Sequence, residues 1–335
     1  MKMNADQLTQ FLTTMVQHKF PILITGAPAI GKTAIVNKVA ENLNADIVPV
    51  FASMSDPTDC KGLPANTGKG FADFLPFGFL HKLITAEKLT ICFLDDLGQA
   101  PLSVQNAFMQ LIHARTDGNG QKISDLVVFI GATNRRQDKA GVTGISEPVK
   151  SRFHSIVELV VDNEAFIAWG IANGIHTHVL AFQKARPELL HTFKPTLDIV
   201  NSSSPRTIHH LSDLVNLNLP PDLEFPAYSG AVGEGYAVEF MAFRNAMQDF
   251  PPIAAIMQNP KGAKVSDNPS INYAVSIALA RKADEQNIDI IMQYMERIAP
   301  DFQGLFWHIT LKENDQIANT SAFIDWSVKN QGFVI

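Results

Sequence analysis

FPILITGAPAIGKTAIV, residues 20–36, runs from a short apolar stretch through a glycine-bounded loop into residues spaced for a helix. Its centre is GAPAIGKT: Gly26, Ala27, Pro28, Ala29, Ile30, Gly31, Lys32 and Thr33. It satisfies G-x-x-x-x-G-K-[S/T] in full. Glycines let such a loop wrap so that backbone N–H groups point at phosphate oxygens, and the following helix adds partial positive charge at its first turn. Lys32 is placed to reach the β and γ phosphates, and Thr33 to offer its hydroxyl to Mg²⁺. At background residue frequencies a chance match in a chain of this length is on the order of 1%. An apolar strand before the loop and an amphipathic helix after it meet the structural context that the motif requires.

Working outward, Ile35, Val36, Val39, Ala40 and Leu43 share one helical face. DIVPVFAS, LTICFLD, DLVVFIGATN and SIVELVV read as further strands, and the residues after Ser53 to about Phe79 as a long Gly/Pro-bearing loop. Val104, Ala107, Phe108, Leu111 and Ile112 keep helical spacing between two of the strands. Near-continuous apolar strands separated by amphipathic helices predict a parallel sheet covered on both faces, an α/β domain of the P-loop NTPase kind. After Val161 the rhythm is helical: NEAFIAWGIANG, THVLAFQKARPELL, PRTIHHLSDLVNLN and EGYAVEFMAFRNAMQ read as helices, with Pro220-Pro221 and Gly230/Gly233 as breaks. The expected division is 1–161 for the nucleotide-binding domain and 162–335 for a mostly helical lid and C-terminal extension.

A second stretch, ICFLDDLGQAPLSVQ (residues 91–105), sets Asp95 and Asp96 side by side at the end of a buried strand. Adjacent carboxylates repel each other and lose hydration there, so something must offset the cost. A nucleoside triphosphate with Mg²⁺ supplies a reason: Asp95 holds the metal shell and Asp96 polarises the attacking water as a base.

At 335 residues the chain exceeds the size at which one core stops growing, which agrees with two domains. A net charge of −6 argues against a dedicated nucleic-acid binder. Cys60 and Cys92 are the only cysteines, with no CxxC pair, as expected of a reduced chain. The first twenty residues lack an apolar signal core, and no run approaches the ~18–20 residues of a membrane span. A soluble, cytoplasmic protein without membrane association is expected.

The order of phosphate loop, acidic strand end, GATN, SEPVKSRFH and SSPRTIHHL resembles an AAA+ ATPase of the MoxR type. DPTDCKGLP, QAPLSVQNAF, FIAWGIANGIHTHVLAF, ARPELL and GAVGEGYAVEF narrow the resemblance to the branch of MoxR-like ATPases, over almost the whole chain. It implies ATP and Mg²⁺ as cofactors and a homo-hexameric ring. It implies that Asn134 is the sensor-1 residue that orients the attacking water. Arg152 matches the arginine finger reaching a neighbouring subunit's nucleotide, and Arg206 matches sensor 2 on the helical lid. Arg135 and Arg136 stand near enough to compete for the finger role. The family usually carries Asp-Glu where this chain has Asp95-Asp96, and the shorter acid implies slower hydrolysis.

The resemblance further implies a client that carries a von Willebrand factor A domain. The segment 61–79, with Phe71, Phe74, Phe77 and Phe79, matches the insertion that lines the ring; these rings either grip a polypeptide or tuck the loop onto the domain. TDGNGQK (residues 116–122) reads as a tight hairpin turn. His176 with His178, and His209 with His210, lack partners at metal-site spacing. The leading expectation is a protein-remodelling ATPase; a nucleic-acid motor or loader, and an ATP-gated scaffold with little hydrolysis, are the alternatives.

Overall fold

Strands buried on both faces must divide their side chains between two cores, and the apolar runs of this chain do so. The computed structural model describes residues 1–66, 68, 70, 72–138, 144–246 and 252–330. Six parallel strands form one sheet: β1 (Lys2–Met3), β2 (Ile22–Gly26), β3 (Asp46–Phe51), β6 (Thr90–Asp95), β7 (Val127–Asn134) and β8 (Ser155–Leu159), in the order β1-β8-β2-β7-β6-β3. Ile22, Ile24, Ile91, Phe93, Val128 and Ile130 face one core, while Leu23, Cys92, Leu94, Val127 and Phe129 face the other. The first core is closed by α1 (Ala5–Gln17), through Leu8, Leu12 and Val16, and by α2 (Lys32–Asn42). α3 (Gly78–Ile84), α4 (Leu102–Ala114) and the short α5 (Glu147–Lys150) close the second. Each Leu, Ile or Phe buried this way contributes roughly 1.5–3 kcal/mol of transfer free energy.

The stretch expected to be a long loop is partly built. Two 3₁₀ turns, Ala52–Met54 and Pro57–Cys60, precede an antiparallel hairpin of β4 (Leu63–Asn66) and β5 (Ala72–Leu75). Its aromatic rings largely tuck: Phe79 packs on the second core against Phe108, and Phe74 and Phe77 are half-buried. The exposed apolar pair is instead Leu63 and Leu75, which face each other across the hairpin. Phe71 lies outside the described residues. The turn at 116–122 is present, closed by the Thr116–Lys122 bridge, and the Asn119 side chain holds both backbone groups of Phe74.

The chain divides into two compact units, residues 1–165 with 194–198, and residues 166–193 with 199–335. The second is helical: α6 (Asn163–Ala172), α7 (Thr177–Ala185), α8 (Pro205–Asn216), α9 (Pro221–Val232), α10 (Glu234–Ala246), α11 (Ile253–Gln258), α12 (Pro269–Ala280), α13 (Ile288–Met295), α14 (Pro300–Glu313) and α15 (Ser321–Lys329). Of the fourth helix expected here, Met247 and Gln248 lie outside the described residues. Gly230, read as a break, sits inside α9, as does Pro226; Gly233, at φ 87°, is the true stop. Its core includes Phe182, Tyr228, Tyr236 and Phe240, with Trp307 and Trp326 in a second aromatic group. The Arg281 guanidinium donates to the carbonyl of Ile171, an acceptor that the end of α6 leaves open, and to that of Ile175 just beyond the helix.

Candidate functional site

In a parallel α/β sheet, ligands bind beyond the carboxyl ends of the strands where the order switches direction. Here β2 lies between β8 and β7, and its carboxyl end opens into the phosphate loop. Gly26 is required by space: a Cβ there would stand 2.9 Å from the Leu159 carbonyl oxygen. Gly31 is required by conformation, at φ 98°, where it precedes α2. Ala29 also adopts positive φ, at 60°, a conformation that carries strain for a residue with a Cβ. Ala27 and Ile30 are buried and anchor the loop, while Pro28 is half-buried. No side chain caps the first turn of α2, and a Cβ at Gly31 would meet nothing within 4 Å. The turn is thus an open cradle of the kind that suits an anion.

The side chains around this cradle form one connected network. Lys32 is buried, and its ammonium donates to the carbonyls of Gly26 (3.1 Å) and Ala27 (2.8 Å) and to Asn134 Oδ1 (2.8 Å). Asn134, buried at the end of β7, donates from Nδ2 to Asp96 Oδ1 at 3.5 Å. Thr33 donates its hydroxyl to Asp95 Oδ2 at 3.0 Å, and the Asp96 N–H donates to Asp95 Oδ1 at 3.0 Å. Gln99 Nε2 donates to Asp96 Oδ1 at 3.2 Å. The two acids therefore coexist because donors surround them: a hydroxyl and a backbone amide on Asp95, two side-chain amides on Asp96. Gln99 was not among the residues the sequence pointed to. The signal for it was its position three residues after Asp96, within reach across a single 3₁₀ turn.

The donor set fits a magnesium nucleotide. Thr33 and Asp95 offer hard oxygen ligands side by side, as Mg²⁺ prefers, with phosphate oxygens expected to complete the shell. Lys32 rests on the loop's own carbonyls, from which a phosphate oxygen can draw it.

Residues 22–160 match the family model of ATPases associated with various cellular activities. They form an AAA-family domain. No curated protein matches the chain. Among solved structures, RuvB of Thermotoga maritima, a Holliday junction branch migration motor, is 13% identical with a TM-score of 0.40, over 88% of this chain and 86% of its own. NtrX of Brucella abortus, solved with ADP, is 13% identical with a TM-score of 0.43, over 98% of this chain and 67% of its own. An AAA domain binds nucleotide, and the phosphate loop, Asp95, Asp96 and Asn134 all converge at one end of its sheet.

The arginines distribute differently. Arg135, beside Asn134 in the AAA domain, is consumed by a bidentate pair with Asp138 (3.0 and 2.9 Å) and a bond to Glu158 (3.2 Å). The Asp138 pairing, foremost, raises its pKa further. Arg136 is exposed in the turn that follows. Arg152 stands at the other end of the sheet. It lies three residues before Ser155, which pairs in register with Ile22 at the start of β2. The His154 N–H bonds to the Pro21 carbonyl there at 2.8 Å. The five residues of β2 separate that end from the phosphate loop by roughly 16 Å. Arg152 Nε is buried with no hydrogen-bond partner among the described residues, and one terminal nitrogen reaches Ser151 Oγ at 3.5 Å. Arg206 belongs to the helical unit, exposed in the first turn of α8 behind the Ser204–Thr207 capping box.

Proposed function

We propose that this chain is a ring-forming AAA+ ATPase of the MoxR type that binds and hydrolyses Mg-ATP in the cytoplasm to remodel a partner protein. One observation carries the reading: Lys32, Asn134 and Asp96 are joined in a hydrogen-bonded row beside the Thr33–Asp95 pair, at the mouth of an uncapped helix. On this reading the loop N–H groups and Lys32 bind the phosphates, and Thr33 with Asp95 holds the metal. When bound, Mg²⁺ neutralises charge on the phosphoryl oxygens. Asp96 takes the proton of the attacking water, which Asn134 orients. Arg152, placed at the far end of its own sheet, is suited to another copy's nucleotide rather than its own, which favours a ring. Arg206 is the helical unit's proposed contribution, and a client with a von Willebrand factor A domain follows from the MoxR resemblance. Among the described residues no helix is long and apolar enough to cross a membrane. The net charge of −6 favours a protein client over nucleic acid.

The test is steady-state ATP turnover across protein concentration for the wild type and Lys32→Ala. Turnover that rises more steeply than linearly in the wild type, and vanishes in the variant, is expected. Equal turnover in the two would sink the reading. A second reading, an ATP-held scaffold with little hydrolysis, is favoured by the short Asp96 acid; wild-type protein that binds ATP, assembles and leaves it intact would establish it.

A further inference from the structure

We infer that Gln99 is a positioning residue for Asp96, the donor that fixes the direction of the carboxylate while ATP is bound. The inference rests on the hydrolytic reading above. Asp96 turns the chain sharply, at φ 54°, into the 3₁₀ turn Leu97–Gln99, and the Gln99 N–H closes that turn on the Asp96 carbonyl at 2.9 Å. Leu97 and Ala100 are fully buried on either side, so the backbone that carries Gln99 is clamped. The Ala100 carbonyl is held in addition by Gln105 Nε2 at 3.0 Å, and the same nitrogen holds the Gly144 carbonyl at 2.9 Å. From this fixed base Gln99 presents Nε2 to Asp96 Oδ1 at 3.2 Å. The assignment is chemically forced, because an ionised carboxylate only accepts and the amide must face it with its nitrogen.

Asn134 donates to the same oxygen, but its bond is the longer one, at 3.5 Å, and its own Oδ1 is held by Lys32. A phosphate that draws Lys32 and Asn134 toward itself weakens that bond. Among the described residues Gln99 makes no hydrogen bond to Lys32 or to the phosphate loop, so its hold on Asp96 persists. Since displacement of a reacting group by about 1 Å costs on the order of 10²-fold in rate, the donor that keeps Asp96 aligned matters to turnover and not to nucleotide affinity.

The experiment is single-turnover conversion of ATP to ADP with full-length protein in excess, for the wild type, Gln99→Leu, Asp96→Asn and the double variant. It is read with ATP affinity and thermal midpoints. Gln99→Leu is expected to slow conversion about tenfold with ATP affinity unchanged, and to cause no further loss in the Asp96→Asn background. Gln99→Met, close in shape, replaces it if the leucine variant does not fold. A readout free of turnover accompanies this: in nucleotide-free protein, the Gln99 side-chain amide protons, followed by NMR, move toward their free position on Asp96→Ala. Wild-type conversion in Gln99→Leu, an equal tenfold loss on top of Asp96→Asn, or unmoved amide protons would each overturn the inference alone. Wild-type protein that never converts ATP would overturn the hydrolytic reading and this inference together.

Discussion

Asp96 joins a backbone requirement to a chemical one. At φ 54° it occupies the left-handed region, which Asp and Asn tolerate because a short polar side chain bonds locally. Glutamate, one methylene longer, is less at ease in that region. Asp96→Asn should therefore keep its thermal midpoint within about 2 °C while losing ATP turnover by ~10² or more, since an amide accepts no proton from water. Asp96→Glu should cost about 1 kcal/mol in a urea melt, whatever it does to the rate. Ala29 offers the converse case: at φ 60°, Ala29→Gly should raise stability by about 0.5–1 kcal/mol in the same melt by releasing strain. The residue types of the site were legible because a phosphate loop and an acidic strand end have fixed local patterns. Their partners were not. Lys32 and Asn134 stand 102 residues apart, and nothing near Arg135 in sequence announces that Glu158 will help to occupy it.

The strands were readable for a simple reason: a strand covered on both faces is apolar throughout, so LTICFLD and DLVVFIGATN stand out against polar helix faces. The hairpin of β4 and β5 has no such mark. It packs little, carries Pro64 in one strand and exposes Leu63 and Leu75, so neither alternation nor an apolar run betrays it. The two-residue β1 is too short for any period. In α9 the signals misled, because packing of Tyr228 and Val232 holds a helix through Pro226 and Gly230 despite their poor propensity. The start of α7 leads to a prediction about pH. His176 caps this helix by accepting the His178 backbone N–H on Nδ1, and its backbone N–H donates to Ser212 Oγ. Burial, then the neighbouring His178, then Arg244 and Arg281, lowers the pKa of His176 to about 4, and burial with Arg244 lowers that of His178 to about 4. Their unfolded value is near 6.5. Protons thus bind the unfolded chain more readily, so stability is full above pH 6.5 and is lost as pH falls toward 4. The loss should reach about 2 kcal/mol for each imidazole at pH 5. Thermal melts from pH 7.5 to 5 check this: the midpoint should fall, and fall less in His178→Asn. A midpoint as pH-sensitive in His176→Asn/His178→Asn as in the wild type would refute the assignment.

At the scale of the molecule, the proposed ring requires that one copy of the chain supply groups to the site of another. Within one AAA domain the phosphate loop and Arg152 occupy opposite ends of β2, roughly 16 Å apart, and no rotamer change spans a sheet. If Arg152 stabilises charge on a transferring phosphoryl group, that group belongs to a neighbour. Arg152→Ala should then lower turnover by 10²-fold or more while leaving ATP affinity within twofold, because the residue meets the nucleotide in the transition state of another copy. Lys32→Ala, which loses its own site, keeps a sound arginine for its neighbour. Each variant alone should be nearly inactive. Mixed at equal concentration under conditions that let subunits exchange, they should recover a substantial fraction of wild-type turnover, since some interfaces join an intact phosphate loop to an intact Arg152. Arginine acting within its own chain predicts the opposite, a mixture as silent as its components, because no chain in it carries both groups. Arg135→Ala provides the control for position: with its guanidinium committed to Asp138 and Glu158, its loss should lower the melting midpoint, and mixing with Lys32→Ala should restore nothing beyond what the folded fraction allows.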